Sequence, residues 1–245
     1  MTKKRLILLV IAIIVCVIAL VCAALFGVSI AHSNARIKEK ARAQERDAKL
    51  FYQNRLVTYE VENVITDDYQ IDVAFVGDRV IAKYDVMEQY EQYKVLNRAI
   101  DGESAEQLEQ RMKVSLYDLK PKVIVLLLSD VDHDTIIENY DSILDGIHKN
   151  LPNTKVVLLS LPPLGDKYSA DNADICLTNV KIELLAKKYN YEYLDIHSTL
   201  FDLYENEIFG AYTYDGKLLT PSGYYRIDLM LHPLLKSLLN EWTMP

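Results

Sequence analysis

The run Ile71-Asp-Val-Ala-Phe-Val-Gly77-Asp78-Arg79 constrains the fold of this chain more than any other stretch. Apolar residues that follow one another without alternation suit a strand covered on both faces, as in a parallel sheet, rather than a strand with one face in water. The Gly-Asp pair closes the run with a tight turn at the strand's carboxyl end. Open α/β sheets place their ligand sites at such ends, so candidate function centres on Arg79 and its surroundings.

The chain beyond it repeats the theme. Lys122–Leu128 is a continuous Val/Ile/Leu run and Lys155–Leu161 another, with a shorter strand expected at Tyr191–Ile196 and an extended segment at Lys94–Ile100. Between them the spacing predicts helices over Val86–Tyr93, Glu103–Tyr117 and Thr135–Asn150, the last with Ile136, Tyr140, Ile143, Leu144 and Ile147 on one face. A further helix is expected near Ile175–Tyr189, after the Pro162-Pro163 break, and a final one from Pro221. Strands alternating with helices in this way predict the α/β class: a flavodoxin-like, doubly wound, five-stranded parallel sheet.

Ahead of this domain, Met1-Thr-Lys-Lys-Arg5 precedes Leu6–Ile30, an almost uninterrupted apolar stretch long enough to cross the hydrocarbon core of a bilayer as a helix. The expected layout is a cytoplasmic tail at 1–5, a transmembrane anchor at 6–30, a helical stalk or linker at 31–66 and the α/β domain at 67–245. A cleaved signal peptide is the rival reading, since Ala31-His-Ser33 offers a cut site, but the apolar region is long for that role. Lipid attachment at Cys22 would call for a small residue where bulky Val21 stands. Lys3, Lys4 and Arg5 lie tight against one end of the span, while Arg36, Lys38, Lys40 and Arg42 lie further beyond the other. Charge counting alone does not orient the span, but the short charged tail resembles a signal anchor. That favours a single-pass protein of the cell membrane with its large domain extracytoplasmic. From Asn34 to Thr58 the chain is rich in helix formers and free of Gly and Pro. Ile37, Ala41, Ala48 and Phe51 offer a sparse seam for self-association, and a solvated spacer helix is the blander account.

Half of the 245 residues are apolar, enough for a sizeable core, and the formal net charge is −8, with the acidic excess falling after the stalk. Phosphate backbones need a basic surface, so nucleic acid is excluded as a partner. Of the three cysteines only Cys176 lies outside the apolar N-terminal stretch, which leaves the domain no disulfide framework and no cysteine metal site. A single thiol on an apolar helix reads as packing.

Four stretches, in order, resemble the motif blocks of the SGNH/GDSL hydrolase family: Val76-Gly77-Asp78-Arg79, Asn97–Ser104, Pro121–Asp132 and Asp215–Tyr224. The resemblance spans Asp72 to Leu239 and implies the family's three-layered α/β fold. It also implies a chemistry: a Ser nucleophile after Gly-Asp, an oxyanion hole completed by a Gly and an Asn, and a His base three residues after an Asp. This sequence departs from it. Arg79 stands in the Ser position, Val131 in the Asn position and Leu218 in the His position, while Gly102 and Asp215 are kept.

A guanidinium has no nucleophilic oxygen and stays protonated, so Arg79 cannot replace the serine. Two readings of Arg79 stay open: an internal ion pair with Asp215 or another nearby carboxylate, or a ligand-binding cation. Asp78, Gly102 and Asp215 have structural readings as turn formers. Together with Arg79, Asp132 and His133 they make up the ligand-binding candidates.

Ser129, Asp130, Asp132 and His133 crowd the end of the third strand, and a relocated Ser-His pair there is the enzymatic alternative, although neighbours along one strand point to opposite faces. Asp130-Val-Asp132-His-Asp134 also has the alternating carboxylates of a calcium loop, but Thr135 fills the slot that needs Gly and Asp141 is shorter than the closing Glu. His148, His197 and His232 are scattered over expected surfaces. No metal site and no cofactor are expected. Tyr212, Tyr214, Tyr224 and Tyr225 bracket the last block, where rings could stack on sugars or simply pack. The sequence therefore points to a membrane-anchored pseudoenzyme that binds a cell-envelope glycan or a partner protein. An active esterase, O-acetyl hydrolase or acetyltransferase with a relocated site is the first alternative, and an architectural or adhesion protein is the second.

Overall fold

The computed structural model describes residues 3–129 and 135–245, with side chains of the first helix described at Phe26 and from residue 32 onward. The chain forms two compact units, Met1–Asn54 and Arg55–Pro245. The first unit belongs to helix α1, Lys3–Val64. The expected span Leu6–Ile30 lies, Phe26 apart, outside the residues whose side chains are described. Among the described residues no helix is long and apolar enough to cross a membrane.

The second unit holds a five-stranded parallel sheet in the order β2-β1-β3-β4-β5. Its strands are β1 (Val73–Gly77), β2 (Val95–Asn97), β3 (Val123–Leu127), β4 (Lys155–Leu159) and β5 (Glu192–Leu194). The central strands are buried along their whole length, as their unbroken apolar runs require. The helices between them are α2 (Arg79–Ala82), α3 (Val86–Gln89), α4 (Ala105–Met112), α5 (Ile136–Asn150) and α6 (Asn172–Tyr189). After β5 come α7 (Ile196–Leu200) and α8 (Pro221–Glu241), the latter capped by the Thr220 hydroxyl, which accepts the Gly223 amide, and started by Pro221.

Several expected elements are shorter than the pattern suggested, each for a local reason. The Lys94–Ile100 segment leaves the sheet after three residues because the Asn97 side chain turns back on the chain: its amide donates to Ile81 O at 2.8 Å and its oxygen accepts from Ala99 N at 3.0 Å. The Glu103–Tyr117 helix splits into α4, started by a Ser104/Gln107 capping box, and a π turn over Lys113–Tyr117. A hairpin of β6 (Phe201–Asp202) and β7 (Glu207–Ile208), two residues a side, sits where the sequence reads as loop.

The last turns of α1 belong to the domain, through a cluster of three arginines around one tyrosine. Tyr59 is 1% exposed. The Arg98 guanidinium stacks over its ring at 4.4 Å, and Arg55 and Arg111 lie at 4.9 and 5.8 Å. Arg111 grips Glu103 with two nitrogens and also donates to Arg98 O at 2.9 Å and to the Ser115 hydroxyl at 2.6 Å. Arg98, with no exposed side-chain surface, reaches the Glu62 carboxylate at 3.2 Å and donates to Asn63 Oδ1 at 3.1 Å. Its Nε has no hydrogen-bond partner among the described residues. Burial pushes the Arg98 pKa down, against the pull of Glu62.

Candidate functional site

The site is built at the carboxyl ends of β1 and β3. From β1 the chain crosses to β2 on one side and then back to β3 on the other, which opens a crevice at that point of the sheet. Gly77 ends β1 with φ of 150°, and a side chain there would collide with the Leu127 carbonyl oxygen, so only glycine allows β1 and β3 to approach so closely. Asp78 does not cap α2 with its side chain. Its buried carboxylate instead accepts the backbone amide of Ser129 and, at 2.7 Å, the Ser129 hydroxyl. Asp78 thus ties the end of β1 to the end of β3, and the Ser129 hydroxyl proton is already committed to it.

Arg79 opens α2 with its side chain 40% exposed, and its Nε donates to Asp101 Oδ1 at 3.1 Å. Lys83 reaches the other oxygen of the same carboxylate at 2.9 Å. Burial pushes the Asp101 pKa up, but Lys83 and Arg79 together outweigh it and hold the carboxyl below its usual range. Arg79 therefore has a carboxylate partner in Asp101. The Asp215 carboxylate, which the sequence offered for that role, accepts the amides of Leu218 at 2.8 Å and Lys217 at 3.0 Å. Those two amides, with a smaller contribution from the Arg79 charge, keep its pKa low. Gly102 has φ of 77° and open space where a side chain would point, so it serves the backbone conformation there.

Leu218 lines a groove of about 530 Å³ together with Lys83, Tyr84, Asp85, Tyr214 and Tyr224. Lys83 joins the two halves of the site, since it borders this groove and shares Asp101 with Arg79. Beneath the groove Tyr84 stacks on Tyr224 at 4.7 Å, and both Tyr84 and Tyr90 donate to Asp228 Oδ1, Tyr90 at 2.6 Å. Burial raises the Asp228 pKa, only partly offset by those two hydroxyls, and burial likewise raises both tyrosines. The Tyr224 hydroxyl donates to Val80 O at 2.8 Å, which fixes α8 against α2.

Val131, Asp132 and His133, with Asp130 and Asp134, lie outside the described residues. Asp141, the closing position of the calcium-like pattern, is engaged by Lys188 at 2.6 Å and by the Tyr189 hydroxyl at 2.7 Å. Among the described residues no group of His, Cys, Asp and Glu could hold a metal ion. Two expectations are corrected. His197 is not a surface residue but is buried and stacked on Phe201 at 5.2 Å, and Cys176 is exposed rather than packed. A second cleft, of about 510 Å³, is bordered by His148, Tyr191 and Trp242 near the start of β4 and β5, the other end of the sheet, and holds none of the motif positions.

Solved structures resemble the chain closely in fold. A Streptococcus pneumonia protein named for platelet activating factor matches with a TM-score of 0.65 and 23% identity, covering 75% of this chain and 92% of that one. A Bacteroides fragilis protein assigned as an acylhydrolase matches with a TM-score of 0.65 and 18% identity, covering 74% and 95%. A GDSL-like lipase from Bacteroides thetaiotaomicron follows at 0.63 and 18%, covering 74% and 97%. The domain has the SGNH/GDSL-hydrolase fold. No family model matches the sequence, and no curated protein does.

On the SGNH/GDSL-hydrolase fold the first and last motif blocks, far apart in sequence, meet across one rim, with Arg79 and Lys83 on one side and Asp215 and Leu218 on the other. Sequence reasoning missed Asp101, Lys83, Tyr84 and Asp228 as parts of this rim. Asp101 carried a signal, since it directly precedes the motif glycine Gly102; the others carried none, because a lysine on a short helix and tyrosines near an aspartate look like ordinary surface and core.

Proposed function

We propose that this chain is a membrane-anchored protein whose extracytoplasmic SGNH/GDSL-hydrolase-like domain binds a cell-envelope glycan or partner protein and does not hydrolyse it. The observation that carries the reading is Arg79 at the nucleophile position, with its guanidinium bound to Asp101. No hydroxyl stands there to attack, and Leu218 offers no nitrogen to take a proton. Asp215, which would orient a base, is folded into its own loop by two backbone amides. The groove itself remains, and its chemistry favours a sugar: Tyr214, 71% exposed, offers a ring face for stacking, while Asp85, Glu88 and Gln89 offer acceptors for hydroxyl groups. The apolar stretch Leu6–Ile30 supports the anchor.

Two measurements on the purified full chain in detergent test this. Activated acetyl and longer acyl esters should turn over at the rate of a blank, and pelleting with insoluble envelope polysaccharide should retain the chain but release a Tyr214→Ala variant. Arg79→Ser alone should restore little, because no base accompanies it; Arg79→Ser with Val131→Asn and Leu218→His supplies the missing groups. Hydrolysis by the unmodified chain that disappears with Ser129→Ala or His133→Ala would overturn the reading in favour of a relocated site.

A further inference from the structure

Helix α6 carries two apolar stripes, and the sheet covers only one. Inward it buries Ile175, Thr178, Asn179, Ile182 and Ala186. Outward, Ala173, Leu177, Val180 and Leu184 follow one another at intervals of four, three and four residues, and Leu177, Val180 and Leu184 are 63%, 56% and 58% exposed. That spacing is the seam of a two-helix coiled coil, and the outward stripe is the more hydrophobic of the two.

Charge indicates what covers it. Asp174 and Lys181 flank the stripe seven residues apart, on the same side of the seam. The other lysines of the helix are engaged within the chain, Lys187 with Glu183 at 2.6 Å and Lys188 with Asp141 at 2.6 Å, whereas Asp174 and Lys181 form no ion pair among the described residues. We propose that the outward face of α6 is an interface for a second copy of this chain, joined as an antiparallel helix pair. With the two-fold axis between residues 178 and 179, Ala173 meets the partner's Leu184 and Leu177 meets the partner's Val180, so all four apolar residues are covered. The same register sets Asp174 against the partner's Lys181, twice by symmetry. In a parallel pair this flank would face the partner's opposite flank, which carries Cys176 and Glu183, so only the antiparallel arrangement brings Asp174 to Lys181. Four short layers make a small interface, and association is correspondingly weak.

The test uses the full chain in detergent micelles, with sedimentation equilibrium over a range of concentrations and circular dichroism as a check on folding. A monomer-dimer equilibrium is expected. Asp174→Lys and Lys181→Asp, two exposed positions, should each weaken it about tenfold, because two attractive contacts become repulsive. The double variant should return to within about twofold of the original, by the same pairing. In a background with Cys16, Cys22 and Cys176 all changed to alanine, Val180→Cys should join two copies through a short thiol-to-thiol cross-linker. A chain that stays monomeric, a dimer indifferent to either charge reversal, or a double variant no better than the singles would each overturn the proposal. The second outcome would place self-association on α1 instead.

Discussion

Two clusters of paired charges in this domain differ in almost everything but their chemistry. At the rim, Arg79 and Lys83 share Asp101 with side chains 35–55% exposed. In the interior, Arg111 and Glu103 are both 1% exposed and Arg98 is fully enclosed. Water screens the first group and leaves it free to exchange partners, while the second can neither separate nor lose a member without stranding a charge. The motif position that Arg79 occupies is thus held in an adaptable ion pair, and the rigid cluster holds the helix end.

The sharpest way to break this comparison is truncation. A fragment beginning at Arg55 should melt like the full domain, whereas one beginning at Asp67 strips Tyr59, Glu62 and Asn63 from Arg98 and should be unfolded or less stable by about 5 kcal/mol, read by urea denaturation. Next, Arg111→Met should cost about 3–5 kcal/mol because the buried Glu103 carboxylate loses both guanidinium hydrogen bonds, and adding Glu103→Leu should recover part of the loss. Asp78→Ala is expected to cost about 1–3 kcal/mol, since the Ser129 amide and hydroxyl lose their acceptor. Arg79→Ala stands last, at less than about 1 kcal/mol and smaller still in high salt.

Acid sharpens the same contrast. The folded pKa of Asp101 is depressed, so its contribution is fully present above the ordinary carboxylate value and is lost as pH falls through the folded one. Asp228 has a raised pKa, so its burial costs stability as pH rises out of the ordinary carboxylate range and through the folded value. Asp101→Asn should therefore flatten the loss of stability on the acid side, and Asp228→Asn should remove the opposing decline, each read from melting temperature against pH.

What could be read in the sequence was what a residue type dictates by itself. Val123–Leu127 must be covered on both faces, Gly77 must allow a close approach, and Thr220-Pro221 must start a helix, so the sheet and the placing of the motif blocks followed. The arginine cluster could not be read, because Arg98 and Arg111 resemble solvent-facing residues until Tyr59, far earlier in the chain, is brought beneath them. The partner of Arg79 was hidden for a similar reason: Asp101 and Asp215 are both carboxylates near the rim, and only the local turn at Lys217 and Leu218 decides which one is already occupied. The ends of β2 and α4 depended on single side chains, Asn97 and Ser104, whose hydrogen bonds outweigh the pattern around them.

The arginine cluster also has a mechanical meaning. The end of α1 is fastened at several points side by side: Arg55 to Asn97 O at 3.0 Å, Tyr59 to Ala99 O at 3.4 Å and Asn63 to Val114 O at 2.6 Å. Bonds loaded in parallel share a pull and yield together, whereas bonds loaded one after another unzip. Tension drawn along α1 therefore enters the domain at Asn97, Ala99 and Val114 together, and the Asn97 side chain, which donates to Ile81 O at 2.8 Å and Tyr84 O at 3.2 Å, carries it straight to the rim.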